Sequence, residues 1–294
     1  MSLFDQLVDE AIRNLPQFAP LRVVVEKELL HHDILREMSR AGFLHKLTFI
    51  DGTCLRACYG SPRLSEDLDF TGGADFAKDA LLELGAVLVE RLMAKYELPV
   101  AVSDPVREEG NVDTWKLRMV TRPDRKHLPA QRINIDICAL PSHDRRPMML
   151  RNHYGVDMGT SGLILQAQSR EEIFADKIVA FALRPNRLKN RDLWDIVWLH
   201  QQGVTLQQEL VWQKIADRQL ERRDFLDKLQ QRLVFLQSEP SCQKYFLGEM
   251  KRFLPPTVVS ETLAQEAFWV VLVDVVSTEC KRVGRAMGVS VDGG

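Results

Sequence analysis

Aspartates inside short apolar segments are the feature that most restricts how this chain can fold. Residues 67–70 read Asp-Leu-Asp-Phe, and residues 133–138 read Ile-Asn-Ile-Asp-Ile-Cys, with Asp136 between two isoleucines. Side chains two apart on a β-strand point to the same face, so Asp67 and Asp69 would share one face while the leucine between them enters the core. A carboxylate in such a strand costs free energy unless it has a partner.

Three carboxylates would form one cluster if the strand with Asp136 lies beside the strand with Asp67 and Asp69. Like charges held close together repel each other, and a hard cation relieves that repulsion. Mg²⁺ prefers carboxylate and phosphate oxygens, and paired metal ions can activate a hydroxyl and stabilise a leaving pyrophosphate. The pattern therefore predicts that Asp67, Asp69 and Asp136 hold Mg²⁺ or Mn²⁺. The alternative is a chance Asp-x-Asp that only caps a turn.

A Gly-Thr pair upstream of the acids favours the functional interpretation. Gly52 and Thr53 follow the apolar segment 44–50, which predicts a buried strand. A glycine turn with a hydroxyl exposes backbone N–H groups and a side-chain donor that can bind a triphosphate. Arg63 and Ser65 stand just before the acids and are further candidates for binding the nucleotide. Arg63 either holds a phosphate by a bidentate contact, or is a solvated loop arginine, or pairs with Glu66.

The periodicity of the remaining chain predicts an α+β fold. Alternating apolar residues at 114–120 and 132–140 predict a hairpin with a long polar loop. Helical patterns dominate after about residue 165, so we predict a mixed domain over 1–165 and a helical domain over 166–294. Helices are predicted at 2–15, 21–39, 75–96, 169–183, 192–200, 205–218, 222–237, 242–254 and 260–283.

The charge of the chain excludes indiscriminate binding of nucleic acid but permits a local basic groove. Lysine and arginine total 39 against 41 acidic residues, for a formal charge of -2 over 294 residues. Residues 115–152 nevertheless carry nine cations against three acids, and residues 184–191 carry four cations without an acid. These segments predict a positive groove for a nucleotide and an RNA backbone. Ordinary solvated loops are the alternative, because clustered charge is common on surfaces.

The sequence shows neither a leader peptide pattern nor a membrane span. The N-terminus has early acids and lacks a basic region followed by a long apolar stretch. The longest apolar run, residues 267–273, is far shorter than the ~20 residues that cross a bilayer. Five cysteines without a C-x-x-C pair predict reduced thiols. We therefore expect a cytoplasmic protein without a membrane partner.

Residues 52–70 resemble the AbiEii-type nucleotidyltransferase toxins, including the MenT-like enzymes, of the DNA polymerase β-like superfamily. The shared pattern is G-T-x-L-R-x-x-Y-G-x-x-R-x-S-x-D-L-D-F. The chain departs from it at Asp51, where the family often has a small residue. Residues 171–177 resemble the family's E-E-x-x-A-x-K helix, and residues 191–195 resemble its R-D-x-x-D element. The resemblance thus spans about residues 47–200.

The resemblance implies a fold, a reaction and a biological role. The fold would be a polymerase β-like domain with a mixed sheet, followed by an all-helical C-terminal domain. The reaction would be Mg²⁺-dependent transfer of NMP from an NTP to RNA, with a tRNA 3′ end as the implied acceptor and pyrophosphate as the leaving group. The role would be that of a toxin in a toxin–antitoxin or phage-defence system, with a cognate antitoxin protein as a partner.

The resemblance also assigns roles to residues. Asp67, Asp69 and Asp136 would be catalytic metal ligands, and Asp136 would help to deprotonate the acceptor hydroxyl. Lys177 would contact the nucleotide phosphates and Asp195 would orient it. The residues alone also allow Lys177 to snorkel from an apolar helix face to solvent. Two other functions stay open: transfer to a small molecule or protein hydroxyl, and a non-catalytic nucleotide-binding module.

Overall fold

A computed structural model describes residues 1–105, 110–125, 127–185 and 187–285 of the chain. It divides into two compact units, Met1–Gln168 and Ser169–Gly294. Within the described residues, every strand lies in the first unit, and the second unit is helical. This arrangement confirms the α+β fold class with a mixed sheet.

The first unit is built on one seven-stranded sheet with the strand order β3-β4-β5-β2-β1-β7-β6. Strands β2 and β5 are parallel, as are β1 and β7, and the other neighbours are antiparallel. The described strands are β1 (Thr48–Phe49), β2 (Leu68–Thr71), β3 (Val100–Ser103), β4 (Val112–Met119), β5 (Gln131–Cys138), β6 (Arg145–Met149) and β7 (Ile164–Gln168). The helices of this unit are α1 (Leu3–Asn14), α2 (Arg22–Arg40), α3 (Asp51–Cys54) and α4 (Leu84–Tyr96).

One face of the sheet forms the core of this unit. Trp115 and Leu117 of β4 and Ile133, Ile135 and Ile137 of β5 are buried, while the residues between them are half-buried or exposed. Asp113 is buried as well, because it lies on the same face as Trp115. Helix α2 packs against β5, and helix α4 packs against β3. The alternation that predicted the β4–β5 hairpin therefore reflects a sheet with one apolar face and one polar face.

Several predicted elements differ from the structure. The segment 44–50 begins inside a 3-10 turn over Phe43–Lys46, and only Thr48–Phe49 pairs as a strand. Leu44, Leu47 and Phe49 are buried, although only Phe49 lies on a strand. The predicted helix at 75–96 is a 3-10 turn over Lys78–Leu81 followed by α4. The pattern also fails to predict β3, β6 and β7, which are short and lack clear alternation.

The second unit begins at a capped helix. The Ser169 hydroxyl oxygen accepts a hydrogen bond from the backbone N–H of Glu172 at 3.0 Å, as the capping pattern predicts. The predicted helix at 260–283 is two helices, because the chain turns between them. The described helices are α5 (Arg170–Leu183), α6 (Asn190–Gln201), α7 (Gln208–Asp217), α8 (Arg222–Ser238), α9 (Ser241–Met250), α10 (Pro256–Glu261) and α11 (Ala267–Arg285). Across the described part of the chain, helices fall short of the length and apolar character that crossing a membrane requires.

Candidate active site

The sheet brings two of the predicted metal ligands together. Asp69 of β2 and Asp136 of β5 are direct partners in the parallel register. Both side chains are half-buried, and the residues before and after each of them are buried and apolar. Neighbouring strands lie about 4.8 Å apart, so the two carboxylates emerge side by side on the polar face of the sheet.

Asp67 and Asp136 are each held by a hydrogen bond. The backbone N–H of Asn134 donates to Oδ1 of Asp67 at 3.0 Å, which ties the residue before β2 to β5. The Thr114 hydroxyl of β4 donates to Oδ1 of Asp136 at 2.6 Å, and the two are register partners. Sequence reasoning missed Thr114. The alternation of buried and exposed residues along β4 could have placed Thr114 on the same face as Asp136.

The chemistry of these donors fits a hard divalent cation. Carboxylate oxygens are the ligands that Mg²⁺ and Mn²⁺ prefer. Asp67 lies just before β2, outside the strand that pairs with β5. One oxygen of Asp67 is instead directed to the backbone of Asn134. The pair that the sheet itself holds in register is Asp69 with Asp136.

The predicted phosphate-binding turn is joined directly to the acidic strand. The backbone N–H of Ile50 donates to the carbonyl of Asp69 at 2.9 Å. Asp51 follows with a φ of 62°, a left-handed conformation that is uncommon outside glycine but that aspartate tolerates. Helix α3 starts at this residue and carries Gly52 and Thr53. The departure from the family pattern thus falls on the residue that turns the chain.

Thr53 and Ser65 form a buried hydrogen-bond chain that ends at Asp67. The Thr53 hydroxyl lies 2.6 Å from that of Ser65 and donates to the backbone carbonyl of Asp67. Because a hydroxyl has one proton, Ser65 donates to Thr53. Thr53 is only 2% exposed and Ser65 only 6%. In this structure both hydroxyls therefore fix the backbone that leads into the acids, and their contact with a nucleotide stays a prediction.

Gly52 lies in close contact with the guanidinium of Arg63. A Cβ atom added at Gly52 would overlap Nη2 of Arg63 and lie 3.1 Å from its Cζ. Arg63 is 2% exposed, and its Nη1 donates to the carbonyl of Leu64 at 3.1 Å. The interpretation of Arg63 as a solvated loop arginine is therefore wrong. Its contact with a phosphate stays a prediction.

A buried ion pair supports the loop before the acids. Nε of Arg56 lies 3.2 Å from Oε2 of Glu28, and Nη1 of Arg56 donates to the carbonyl of Ser61 at 3.0 Å. The backbone N–H of Ser65 donates to Oε1 of Glu28 at 3.0 Å. Burial opposes ionisation of Glu28, but Arg56, the Tyr154 hydroxyl and this N–H together lower the pKa of the carboxyl. Helix α2 thereby anchors both ends of the loop.

In the second unit, Lys177 of α5 is buried and ion-paired. Its Nζ lies 2.7 Å from Oδ1 of Asp192 and 3.0 Å from Oδ2 of Asp195. The Lys177 side chain is 4% exposed, so the expectation that it snorkels to solvent is wrong. Two acids on α6 hold the ammonium group instead. The roles expected of Lys177 and Asp195 toward the nucleotide stay predictions.

Carboxylates on adjacent strands beside a Gly-Thr turn are typical of a nucleotidyltransferase domain. The family described as nucleotidyl transferase AbiEii toxin, Type IV TA system, matches residues 33–271. The chain therefore belongs to the AbiEii nucleotidyltransferase toxin family.

One of two similar solved structures supports the fold. MenT4, nucleotidyltransferase toxin Rv2826c from Mycobacterium tuberculosis H37Rv, is similar with a TM-score of 0.58 and 17% identity, over 97% of this chain and 91% of that chain. The crystal structure of JHP933 from Helicobacter pylori has a TM-score of 0.49 and 17% identity, over 89% of this chain and 96% of that chain. No curated protein matches the chain. At this identity the likeness to MenT4 shows the fold.

Proposed function

We propose that this nucleotidyltransferase toxin transfers NMP from an NTP to RNA in a reaction that depends on Mg²⁺ or Mn²⁺. The register pair of Asp69 and Asp136 on one polar sheet face is the observation that carries the proposal. A tRNA 3′ end is the proposed acceptor, growth arrest is the outcome, and a cognate antitoxin protein opposes it. Family membership and the three carboxylates support this function.

The proposed reaction is an in-line displacement at the α-phosphate. A bond forms between the acceptor hydroxyl oxygen and the α-phosphorus, and the bond from that phosphorus to the departing pyrophosphate breaks. Asp136 takes the hydroxyl proton, and Thr114 holds its carboxylate in one orientation. A divalent cation held by Asp67, Asp69 and Asp136 would neutralise the negative charge of the phosphates.

The proposed triphosphate contacts come from the Gly-Thr turn and from Lys177. Gly52 allows the close packing of Arg63 against the turn, and Thr53 and Ser65 keep the turn connected to the acids. Asp195 is proposed to orient Lys177, which supplies a positive charge to the phosphates. Arg63 is proposed to add a second charge on the same ligand.

Labelled nucleotide tests the reaction directly. Purified protein is incubated with each labelled NTP and total RNA, using the wild type, Asp67→Ala, Asp69→Asn and the exposed-site control Asp79→Asn. We expect the wild type and Asp79→Asn to label RNA, and the two site variants to lose labelling while their melting curves show a folded protein. Labelling at the wild-type rate by both site variants would contradict the assignment.

The class of acceptor is tested by fractionation. Labelled NTPs are incubated with a total cell extract and the protein, and the RNA, protein and small-molecule fractions are counted. We expect the label in RNA, at the size of tRNA. Label confined to the protein or small-molecule fraction would replace the RNA acceptor with one of those hydroxyl classes.

The proposed role of Lys177 has a matched control in Lys214. Nζ of Lys214 lies 3.2 Å from Oδ2 of Asp176 and also pairs with Glu172, and its side chain is 4% exposed, like that of Lys177. Lys177→Met and Lys214→Met each remove a buried ammonium from the helical unit, so both should lower the melting temperature. Only Lys177→Met should lower the NTP affinity of the folded fraction in calorimetry. Equal NTP affinity in both variants would leave Lys177 a purely structural role.

A further inference from the structure

Three cations extend along the polar sheet face from the carboxylates. Lys116 and Arg118 lie on β4, Arg132 lies on β5, and all three are exposed. They alternate with buried residues, so they share the face that presents Asp136 and Thr114. The polar face therefore presents Asp69 and Asp136 in one row of the sheet and the three cations in the rows that follow.

The strand register sets the spacing of these rows. Lys116 pairs with Asn134, and Arg118 pairs with Arg132. Arg132 is four residues from Asp136 on the same strand, which places the two Cα atoms about 13 Å apart. The neighbouring row, with Lys116, lies about half that distance from the row of Asp136. A short length of polynucleotide backbone would therefore reach from the cations to the acids.

The position of the Gly-Thr turn distinguishes two sides of the acids. The turn follows β1, which borders β2 on one side, whereas β5 and β4 follow on the other side. Asp67 and Asp69 thus lie between the proposed triphosphate turn and the three cations. A triphosphate bound at the turn would leave the side of β5 and β4 for the acceptor.

Arg118 and Arg132 are like charges in direct register on neighbouring antiparallel strands. Like charges directly opposite each other on antiparallel strands destabilise a sheet. Within the described part of the chain, Lys116, Arg118 and Arg132 make no ion pair or side-chain hydrogen bond that would offset this repulsion. An exposed cation cluster without acidic partners is suited to bind a polyanion.

Other cations of the basic segment 115–152 are engaged elsewhere or lie off this face. Nε of Arg122 lies 3.3 Å from Oδ1 of Asp5, Arg146 pairs with Asp144, and Arg151 donates to the carbonyl of Cys58. Arg145 lies on β6, the last strand at the other edge of the sheet. Lys126 lies outside the described residues. Arg125 lies in the loop that joins β4 to β5. The structure thus singles out three of the eight cations that it describes in this segment.

We propose that Lys116, Arg118 and Arg132 form an acceptor track that binds the phosphate backbone of a single-stranded polynucleotide and leads its terminal hydroxyl to the acids. Delivery of the hydroxyl to the acids rests on the proposed function, whereas binding of the polynucleotide does not. The track also explains why a chain of net negative charge has a basic hairpin beside its carboxylates.

The test compares two triple variants with the same charge change. The track variant is Lys116→Gln/Arg118→Gln/Arg132→Gln, and the control is Lys78→Gln/Arg91→Gln/Arg145→Gln, three exposed cations elsewhere in the first unit. Binding of a fluorescein-labelled oligouridylate is measured by anisotropy at several KCl concentrations without NTP. We expect the track variant to lose at least ~10-fold in affinity, and its slope of log K against log salt to fall by up to ~2. The control should keep the wild-type slope.

The outcomes separate this proposal from the proposed function. Wild-type affinity and salt slope in the track variant would overturn the track, even if NMP transfer to RNA is observed. A loss of oligouridylate binding confined to the track variant would support it, even if no transfer is found and the proposed function fails. Calorimetry with NTP should give the same affinity in both triple variants. A selective loss of NTP affinity in the track variant would assign the cations to the triphosphate and overturn the proposal.

Discussion

Asp69 and Asp136 face the same side of the sheet as direct partners on the parallel strands β2 and β5. The buried residues on either side of each aspartate determine this relationship, because a slip of one residue would turn the carboxylates into the core. Hydrophobic burial therefore places two like charges side by side. A site that holds such charges together is suited to a bound cation.

Thr114→Val should weaken metal binding without changing the shape of the side chain. The substitution removes the hydroxyl that donates to Asp136 at 2.6 Å. Loss of such an outer hydrogen bond to a metal ligand typically costs ~10–100-fold in affinity or activity. The Mg²⁺ concentration at half-maximal NMP transfer should rise accordingly, whereas Thr114→Ser should stay near the wild type. An unchanged Mg²⁺ dependence in Thr114→Val would remove Thr114 from the site.

Gly52→Ala should destabilise the protein, because the new Cβ overlaps the buried guanidinium of Arg63. Overpacking of this kind costs about 1–3 kcal/mol, measured as the free energy of urea unfolding. The control is Gly248→Ala in α9, where nothing lies within 4 Å of the added Cβ. That substitution should stabilise the helix by roughly 0.5–1 kcal/mol. Equal stability of both variants would show that Arg63 moves aside freely.

Arg56→Met should leave the buried carboxylate of Glu28 without its cation. Removing one partner of a buried pair costs about 3–5 kcal/mol. Arg40→Met is the control, since the Arg40 side chain is 67% exposed and its pair with Glu37 should contribute about 1 kcal/mol or less. Urea unfolding at pH 7 measures both variants. Similar losses in the two would contradict the role of Arg56 as the anchor of the loop.

The Glu28 carboxyl should also make the free energy of unfolding decrease at acidic pH. Its pKa in the folded protein lies below the ordinary value of 4.5, so its contribution is complete above that pH and is lost as the pH drops through the lowered pKa. Unfolding in urea between pH 5 and pH 3 should show this loss in the wild type. Glu28→Gln should be less stable at pH 5 and should show a flatter pH dependence.

His32 should make the protein less stable below neutral pH. Burial lowers its pKa from 6.5 to about 4, although the charge of Glu28 acts in the opposite direction. Its contribution is therefore complete above pH 6.5 and is lost as the pH falls to about 4, by roughly 3 kcal/mol in total. The unfolding free energy of His32→Asn should decline less over this range. The exposed-site control His45→Asn should follow the wild type, and an identical decline in His32→Asn would contradict the prediction.

Local patterns in the sequence determined the elements whose signals are contained within a few residues. Alternation predicted the hairpin of β4 and β5, because each strand buries one face. The cap at Ser169 predicted the start of α5, because the hydroxyl bonds to an N–H three residues on. The spacing from Gly52 to Asp69 was sufficient to predict the family, since the Gly-Thr turn and the acids lie on one short segment.

Only the tertiary structure decided which distant groups meet. The pairing of Asp69 with Asp136 depends on strand register, and the partner of Asp136 on β4 follows from a second register. The burial of Arg63 and the two acids around Lys177 depend on long-range packing, so neither charge could be distinguished from a solvated one by its neighbours in sequence. Sequence periodicity determined which face each strand residue takes, and strand pairing determined what stands beside it.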